Sequence, residues 1–173
     1  KVEPYEINPQ NFSENKFILS NIADNIKYIP LDNTFPIGLI YAIEANDDVF
    51  YLNTKDEGII KFDLNGKYIK TIAKKGRGPS EYRYGMVFAV DEKTEKVYIS
   101  DSKRIKVYSK SGIFIRDIST EKYLSNTAGD IKFLGNNIVI TDYGTYGEFK
   151  FNWIVLDSLG NLISAKKSFV QPV

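Results

Sequence analysis

The chain has 173 residues, enough for one domain with its own core, and its net charge of +1 gives no general attraction for nucleic acid or an anionic membrane. It contains no cysteine and no histidine, which excludes disulfides, thiolate nucleophiles, histidine bases and metal sites built from these ligands. No apolar run approaches the ~20 residues that a membrane-spanning helix needs. We therefore expect no cofactor, no nucleic-acid partner and no membrane span.

The composition favours an all-β fold, because tyrosine, phenylalanine and isoleucine are abundant and suit half-buried pleated surfaces. Residues 1–16 are polar and contain Pro4 and Pro9, so we do not expect a signal peptide there. The pattern then changes to "FILSNIADNIKYIPLDN" over 17–33, which predicts an N-terminal strand segment, a strand pair, ahead of the main body of the chain.

The main body contains a repeat. Three segments align without gaps, and each has an alternating apolar run, a polar residue that opens a turn, and a glycine three positions later. They are "GIIKFDLNGKYIKTI" (58–72), "RIKVYSKSGIFIRDI" (104–118) and "NWIVLDSLGNLISAK" (152–166). Their turn glycines, Gly66, Gly112 and Gly160, are 46 and 48 residues apart. Each segment predicts a β-hairpin, because an Asp or Ser oxygen accepts from turn amides and glycine tolerates the positive φ that closes the turn.

Two further predicted strands precede each hairpin and complete a four-stranded antiparallel unit. A repeat of ~40–50 residues with this strand order is typical of one blade of a β-propeller, whereas a β-sandwich predicts no such period. We therefore predict an all-β chain, a single partial β-propeller domain over 1–173, with about three blades plus the N-terminal strand pair. The predicted blades cover roughly 38–73, 85–118 and 129–168.

The stretch "KKGRGPSEYRY" (74–84) connects the first predicted blade to the second. Gly76 and Gly78 permit sharp turns, and Tyr82 or Tyr84 is available to pack between blades. A phosphate-binding loop would need a helix directly after its glycines, but the following residues alternate like a strand. We therefore predict a structural crossover whose basic residues form one side of a ligand-binding face.

A longer connection, "TDYGTYGEFKFN" (141–152), joins the second and third strands of the third blade. The strand order puts this connection at the same end of the blades as the crossover. Loops on one face of a rigid scaffold often carry ligand sites, although hairpins also tolerate insertions that have no role. The candidate ligand-binding residues on this face are Arg77, Tyr82, Tyr143, Tyr146 and Glu148. An aromatic and charged rim of this kind would suit a glycan or a peptide.

Acidic residues recur at the predicted strand ends. They are Asp63, Asp91, Asp101, Asp142 and Asp157. No Asp-x-Asp-x-Asp-Gly calcium loop is present, so we predict that these carboxylates accept hydrogen bonds from turn amides. We assign no catalytic residue and no metal ligand. Trp153 is predicted to pack between blades.

The crossover and second blade resemble an NHL-type propeller repeat, with a Gly-x-Gly crossover, an inner strand ending in Val-Asp and a turn glycine. The matching residues are Gly76, Gly78, Tyr82, Val90, Asp91, Tyr98, Ile99, Asp101, Ile105, Val107, Tyr108 and Gly112. The chain from Phe17 is similar to the six-bladed β-propeller proteins of Bacteroidota. The residues that carry this similarity are Leu19, Ser20, Ile22, Ala23, Tyr28, Ile29, Pro30, Leu31, Gly76, Gly78, Pro79, Glu81 and Tyr82, while Ser80 stands where that family usually has glycine.

The resemblance implies an exported protein of the periplasm or cell surface, often a lipoprotein, and most members have no known activity. Six blades need roughly 270 residues at this repeat length, so the chain corresponds to about half a ring. An open half-ring would expose two blade faces that are normally buried. We expect further blades, or a second chain, to complete it.

Two functions remain open at this stage. The first is a non-catalytic exported binding or scaffold propeller that recognises a glycan, peptide or protein partner. The alternative is a lactonase- or lyase-type propeller enzyme that uses an oxygen-ligated divalent cation at the axis. Such a site needs acidic side chains from several inner strands, and the predicted starts of these strands supply only Asp130.

Overall fold

The computed structural model describes residues 10, 18–34, 36–143 and 150–168, and these form an arrangement of strands without an α-helix. Twelve strands make three four-stranded antiparallel sheets, each in simple up-and-down order. The first sheet contains β1 Ile40–Ala45, β2 Val49–Thr54, β3 Gly58–Asp63 and β4 Tyr68–Ala73. The second contains β5 Phe88–Val90, β6 Val97–Ser100, β7 Arg104–Tyr108 and β8 Phe114–Ser119. The third contains β9 Ala128–Leu134, β10 Asn137–Asp142, β11 Phe151–Leu156 and β12 Leu162–Lys167.

The three predicted hairpin turns have the same geometry. The turn glycine N–H donates to the carbonyl of the residue three positions earlier, in Gly66 to Asp63, Gly112 to Ser109 and Gly160 to Asp157. The glycine φ angles are +81°, +84° and +94°. Because L-residues are disfavoured at these angles, the repeated glycine has a direct steric cause.

Neighbouring sheets pack on each other through apolar faces. The core between the first and second sheets contains Tyr51, Ile59, Ile72, Ala73, Tyr82, Phe88, Val97, Ile99 and Tyr108. The core between the second and third sheets contains Ala89, Tyr98, Ile105, Val107, Ile118, Leu124, Ala128, Ile131, Ile138, Ile140, Ile154 and Leu156. Each fully buried aliphatic side chain contributes about 1.5–3 kcal/mol, so these two cores fix the order of the sheets. They also bring the inner strands β1, β5 and β9 side by side.

The N-terminal segment differs from the strand pair predicted over 17–33. Its described part contains one turn of 3-10 helix, Leu19–Asn21, and then an extended stretch with no assigned strand. One backbone hydrogen bond, from Asp32 N–H to the Gly66 carbonyl at 2.7 Å, joins this stretch to the first sheet. Leu31 and Ile37, at and just after its end, pack against buried Phe62 on the face of the first sheet that points away from the second. The exposed residues of the segment include Ile18, Ile22, Ile26 and Tyr28.

The crossover from β4 to β5 is held by buried polar contacts. The Tyr82 hydroxyl donates to Asn53 Oδ1 at 2.9 Å, and the Asn53 amide donates to the carbonyls of Gly85 and Met86 at 2.9 and 3.2 Å. Tyr82 and Asn53 are both fully buried. The crossover is therefore anchored to β2 from inside the protein, which agrees with the packing role predicted for its tyrosine.

The strand-end acids accept backbone hydrogen bonds. Asp63, Asp91 and Asp157 accept from amides of their own turns. Asp101 instead accepts from the amides of Arg83 and Tyr84 in the crossover, and Asp142 accepts from Ser125 in the next crossover. Asp101 and Asp142 thus each hold the crossover that leads into their own sheet. The contact is made at the end of that sheet's second strand.

Trp153 does not lie between two sheets of the described structure. It is 38% exposed on β11 and is paired with Thr141, on the face of the third sheet that points away from the second. The prediction that Trp153 packs between blades is therefore wrong for the three described sheets. Its indole would become an inter-sheet contact only if another sheet followed.

Candidate functional site

The structure leaves two residues of the predicted rim exposed. Arg77 is exposed on the crossover, and Tyr143 is 56% exposed directly after β10. Tyr82 is corrected, because its ring is fully buried and its hydroxyl is bound to Asn53, so it cannot contact a ligand at the surface. Burial also raises the pKa of Tyr82 well above its ordinary value. Tyr146 and Glu148 lie outside the described residues.

A depression of about 620 Å³ does exist at the crossover end, but the predicted rim residues do not line it. Ser102, Arg104 and Glu121 are among its lining residues, which belong to the outer part of the second sheet and the crossover that follows it. It is more open to solvent than a second concavity, which lies between the inner strands of the three sheets.

The inner strands form a cleft at the opposite end of the sheets. Its volume is about 370 Å³, within the range of ligand-binding pockets. The lining comes from all three sheets, with Glu44 on β1, Ala89 to Lys93 at the end of β5, and Ile131 to Phe133 on β9. We call this the inner-strand cleft. Because strand order brings β1, β5 and β9 together, the cleft exists only when the three sheets are packed in sequence.

Charged side chains of both signs meet in the inner-strand cleft. The Lys132 ammonium lies 3.7 Å from Glu44 Oε1 and 3.7 Å from Asp130 Oδ1. The pair between Glu44 and Lys132 links the inner strands of the first and third sheets across β5. Since the Lys132 side chain is 64% exposed, this ion pair adds little to stability and is free to exchange for a ligand.

Burial raises the pKa of the Glu44 carboxyl above its usual value. Lys132 acts in the opposite direction, and the negative charges of Asp130 and Glu92 add to the rise. The single lysine therefore does not compensate for the desolvation of this carboxylate. A site with incompletely compensated charge is a reasonable candidate for ligand binding.

The cleft was not predicted from the sequence. The sequence prediction concerned acidic residues at the starts of the inner strands. Glu44 instead lies near the end of β1, and Glu92 follows the end of β5. A signal was nevertheless present, because Glu44 follows Ala42 on the inward-facing side of β1, and a charge at such a position is uncommon in a packed strand. Asp130 and Lys132 likewise place two charges two residues apart on the inner strand β9.

A cation site of the predicted enzyme alternative would need several carboxylates around one point. Among the described residues, no group of three or more acidic side chains is placed to hold a metal ion. Glu44 and Asp130 already have a positive charge beside them, because the Lys132 ammonium lies 3.7 Å from an oxygen of each. No helix in the described part of the chain is long and apolar enough to cross a membrane.

The three sheets and their axial cleft define a set of β-propeller blades, and comparison with solved structures supports this class. The chain is similar to a protein of Bacteroides fragilis described as exported, with a TM-score of 0.63 and 18% identity, over 81% of this chain and 40% of that one. It is also similar to the WD40 repeats of RRP9, with a TM-score of 0.59 and 14% identity, over 75% of this chain and 38% of that one. At these identities the likeness concerns the fold.

The chain belongs to the family described as a domain of unknown function, DUF4934, which matches residues 4–171. No curated protein matches it. The structure of U3-55K is a further similar fold, with a TM-score of 0.58 and 14% identity, over 75% of this chain and 39% of that one. The chain thus spans about two fifths of the length of these structural neighbours.

Proposed function

We propose that the chain is the binding part of a propeller that recognises a peptide or protein segment in the inner-strand cleft, without catalysis. The observation that carries this proposal is the cleft itself, where three consecutive inner strands contribute charged side chains to one concavity. Concave sites with a few polar groups among apolar walls are the usual places for ligands. The binding role is an inference from this geometry and from the propeller fold.

The chemistry of the cleft favours a peptide over a glycan. Its lining carries both charges, with Glu44, Glu92 and Lys132 among the lining residues, and its walls include Ile131 and Phe133. A peptide offers both charges and apolar side chains within a few residues. Binding of a glycan in place of a peptide is the competing result that an array screen can detect.

The rim predicted at the crossover end is a second candidate site. Arg77 and Tyr143 are both exposed, and both belong to connections that the strand order puts at that end. Tyr82 is no longer part of it, and Tyr146 and Glu148 remain proposals from the sequence. The two sites lie at opposite ends of the blades, so single substitutions distinguish them.

We also propose that the blades belong to a closed ring of the six-bladed, NHL-like type, in an exported protein of the periplasm or cell surface and often lipid-anchored. The exposed Trp153 face supports a further blade or a second chain next to the third blade. We expect light scattering to show pairs of this chain, or a complete ring in a longer native protein. A well-behaved monomer of about the mass of one chain, 19.7 kDa, would contradict pairing.

The binding proposal is tested by screening the purified chain on peptide and glycan arrays and repeating each positive signal with two variants. We expect peptides to bind, Lys132→Ala to reduce their signal, and Arg77→Ala to leave it unchanged. Both lysine and arginine removal delete one exposed positive charge, so they are matched for net charge. A signal that depends on Arg77 would move the site to the rim, and an exclusive glycan signal would contradict the peptide proposal.

A further inference from the structure

A small recess opens beside the inner-strand cleft, between the first and second blades. Its volume is about 30 Å³, enough for one group the size of a water molecule. Glu44 on β1 and Glu92 after β5 line both the cleft and this recess, so the two lie side by side. Tyr51 on β2 forms part of its wall.

The Tyr51 hydroxyl is the unusual feature of the recess. Tyr51 is 1% exposed, and its hydroxyl oxygen has no hydrogen-bond partner among the described residues. A buried hydroxyl without a partner costs about 1–3 kcal/mol, so a protein rarely keeps one without a use. Glu44 and Tyr51 are directly opposite each other in the β1–β2 ladder, and cross-strand partners project to the same side of a sheet.

The nearby lysines leave room for another cation. Lys61 lies over the Tyr51 ring, 5.2 Å from its centroid, but its ammonium is 3.7 Å from Glu95. Lys132 is 3.7 Å from Glu44 Oε1, beyond the length of a normal hydrogen bond of about 3.2 Å. Two carboxylate side chains, Glu44 and Glu92, thus line the same small recess as Tyr51, whose buried hydroxyl has no hydrogen-bond partner among the described residues.

We propose that this recess binds a primary ammonium group, carried by a ligand whose remaining part occupies the inner-strand cleft. A primary ammonium has three N–H donors, one for each of the oxygen-bearing side chains Glu44, Glu92 and Tyr51. In the setting of the proposed function, which this inference deepens, the group is the side chain of a lysine in the bound peptide. Charge-assisted hydrogen bonds to two carboxylates give the ammonium its selectivity over a neutral group.

The test uses the full chain and n-butylammonium as the probe, followed by amide NMR shifts. We expect saturable shifts at Ala45, Asn46 and Val90 with a dissociation constant in the millimolar range. n-Butanol lacks the charge and tetramethylammonium lacks the N–H donors, so each is expected to bind at least fivefold more weakly. No saturation, or equal binding of tetramethylammonium, overturns the proposal.

Three variants locate the site. Glu92→Gln is expected to weaken n-butylammonium binding at least fivefold, whereas the matched control Glu121→Gln, exposed at the opposite end, leaves it unchanged. Tyr51→Phe removes only the hydroxyl, so it is expected to weaken binding while leaving the urea midpoint of the free protein equal or higher. A lower midpoint for Tyr51→Phe would show that the hydroxyl is already satisfied, and would contradict the proposal.

The outcomes also separate this inference from the proposed function. If n-butylammonium binds as expected but no peptide is selected, the recess stands and the peptide-binding function fails. If peptides bind in a Lys132-dependent way without needing a lysine of their own, and n-butylammonium does not compete, the function stands and the ammonium site fails.

Discussion

Replacing Asn53 by alanine is expected to lower the free energy of unfolding by about 3–5 kcal/mol, because it leaves several buried polar groups without partners. The Asn53 side chain is fully buried and joins β2 to the crossover through Tyr82, Gly85 and Met86. Alanine cannot make any of these contacts, and the bonds to the Gly85 carbonyl and from the Tyr82 hydroxyl are buried. The crossover fixes how the second blade is placed against the first, so the whole domain depends on this residue.

Urea unfolding followed by circular dichroism measures this effect, with two comparison variants. Tyr82→Phe removes one hydrogen bond and leaves one acceptor unpaired, so its expected cost is about 1–2 kcal/mol. Asn136→Ala makes the same chemical change at an exposed turn and is expected to change stability by less than about 0.5 kcal/mol. An Asn53→Ala variant as stable as Asn136→Ala would show that the crossover is not anchored as described.

Replacing Gly66 by alanine is expected to release the N-terminal segment from the first blade. A Cβ at Gly66 would lie 2.1 Å from the Pro30 carbonyl oxygen, and the φ of +81° already disfavours an L-residue. The conformational penalty alone is about 1–2 kcal/mol. The steric conflict with Pro30 adds the loss of burial at Leu31 and Ile37, so we expect a total cost of about 3 kcal/mol.

Gly135→Ala is the matched control for this variant. Gly135 also has a positive φ, +64°, but no heavy atom lies within 4 Å of the added Cβ, so only the conformational penalty applies. Limited trypsin digestion gives a second readout, because Lys27 lies in the N-terminal segment and is expected to be cut faster only in Gly66→Ala. Equal stability loss and equal cleavage in both variants would contradict the docking of the segment.

The blades could be predicted because their signals are local. The turn at Gly66 depends on residues within three positions of it, and the same pattern at Gly112 and Gly160 gave the repeat and the strand order. The N-terminal segment was harder, since "YIPL" alternates like a strand but contacts a sheet face. Whether an extended stretch joins a sheet edge or covers a sheet face depends on contacts distant in sequence.

The site could be predicted only in part, for the same reason. Tyr82 is in a surface connection, but its side chain points inward to Asn53, and a loop sequence does not show this direction. Glu44 and Lys132 are on the inner strands of different blades, so their proximity requires the relative placement of three sheets. The Tyr51 hydroxyl, which has no hydrogen-bond partner in the described part of the chain, is likewise a property of the assembled blades.

The most direct test of the central claim, that a ligand binds in the inner-strand cleft, is calorimetric titration of a selected peptide into the native chain, Lys132→Ala and Arg77→Ala. We predict at least tenfold weaker binding for Lys132→Ala and unchanged binding for Arg77→Ala. Unchanged binding for Lys132→Ala together with weaker binding for Arg77→Ala would contradict the cleft and place the ligand at the crossover end.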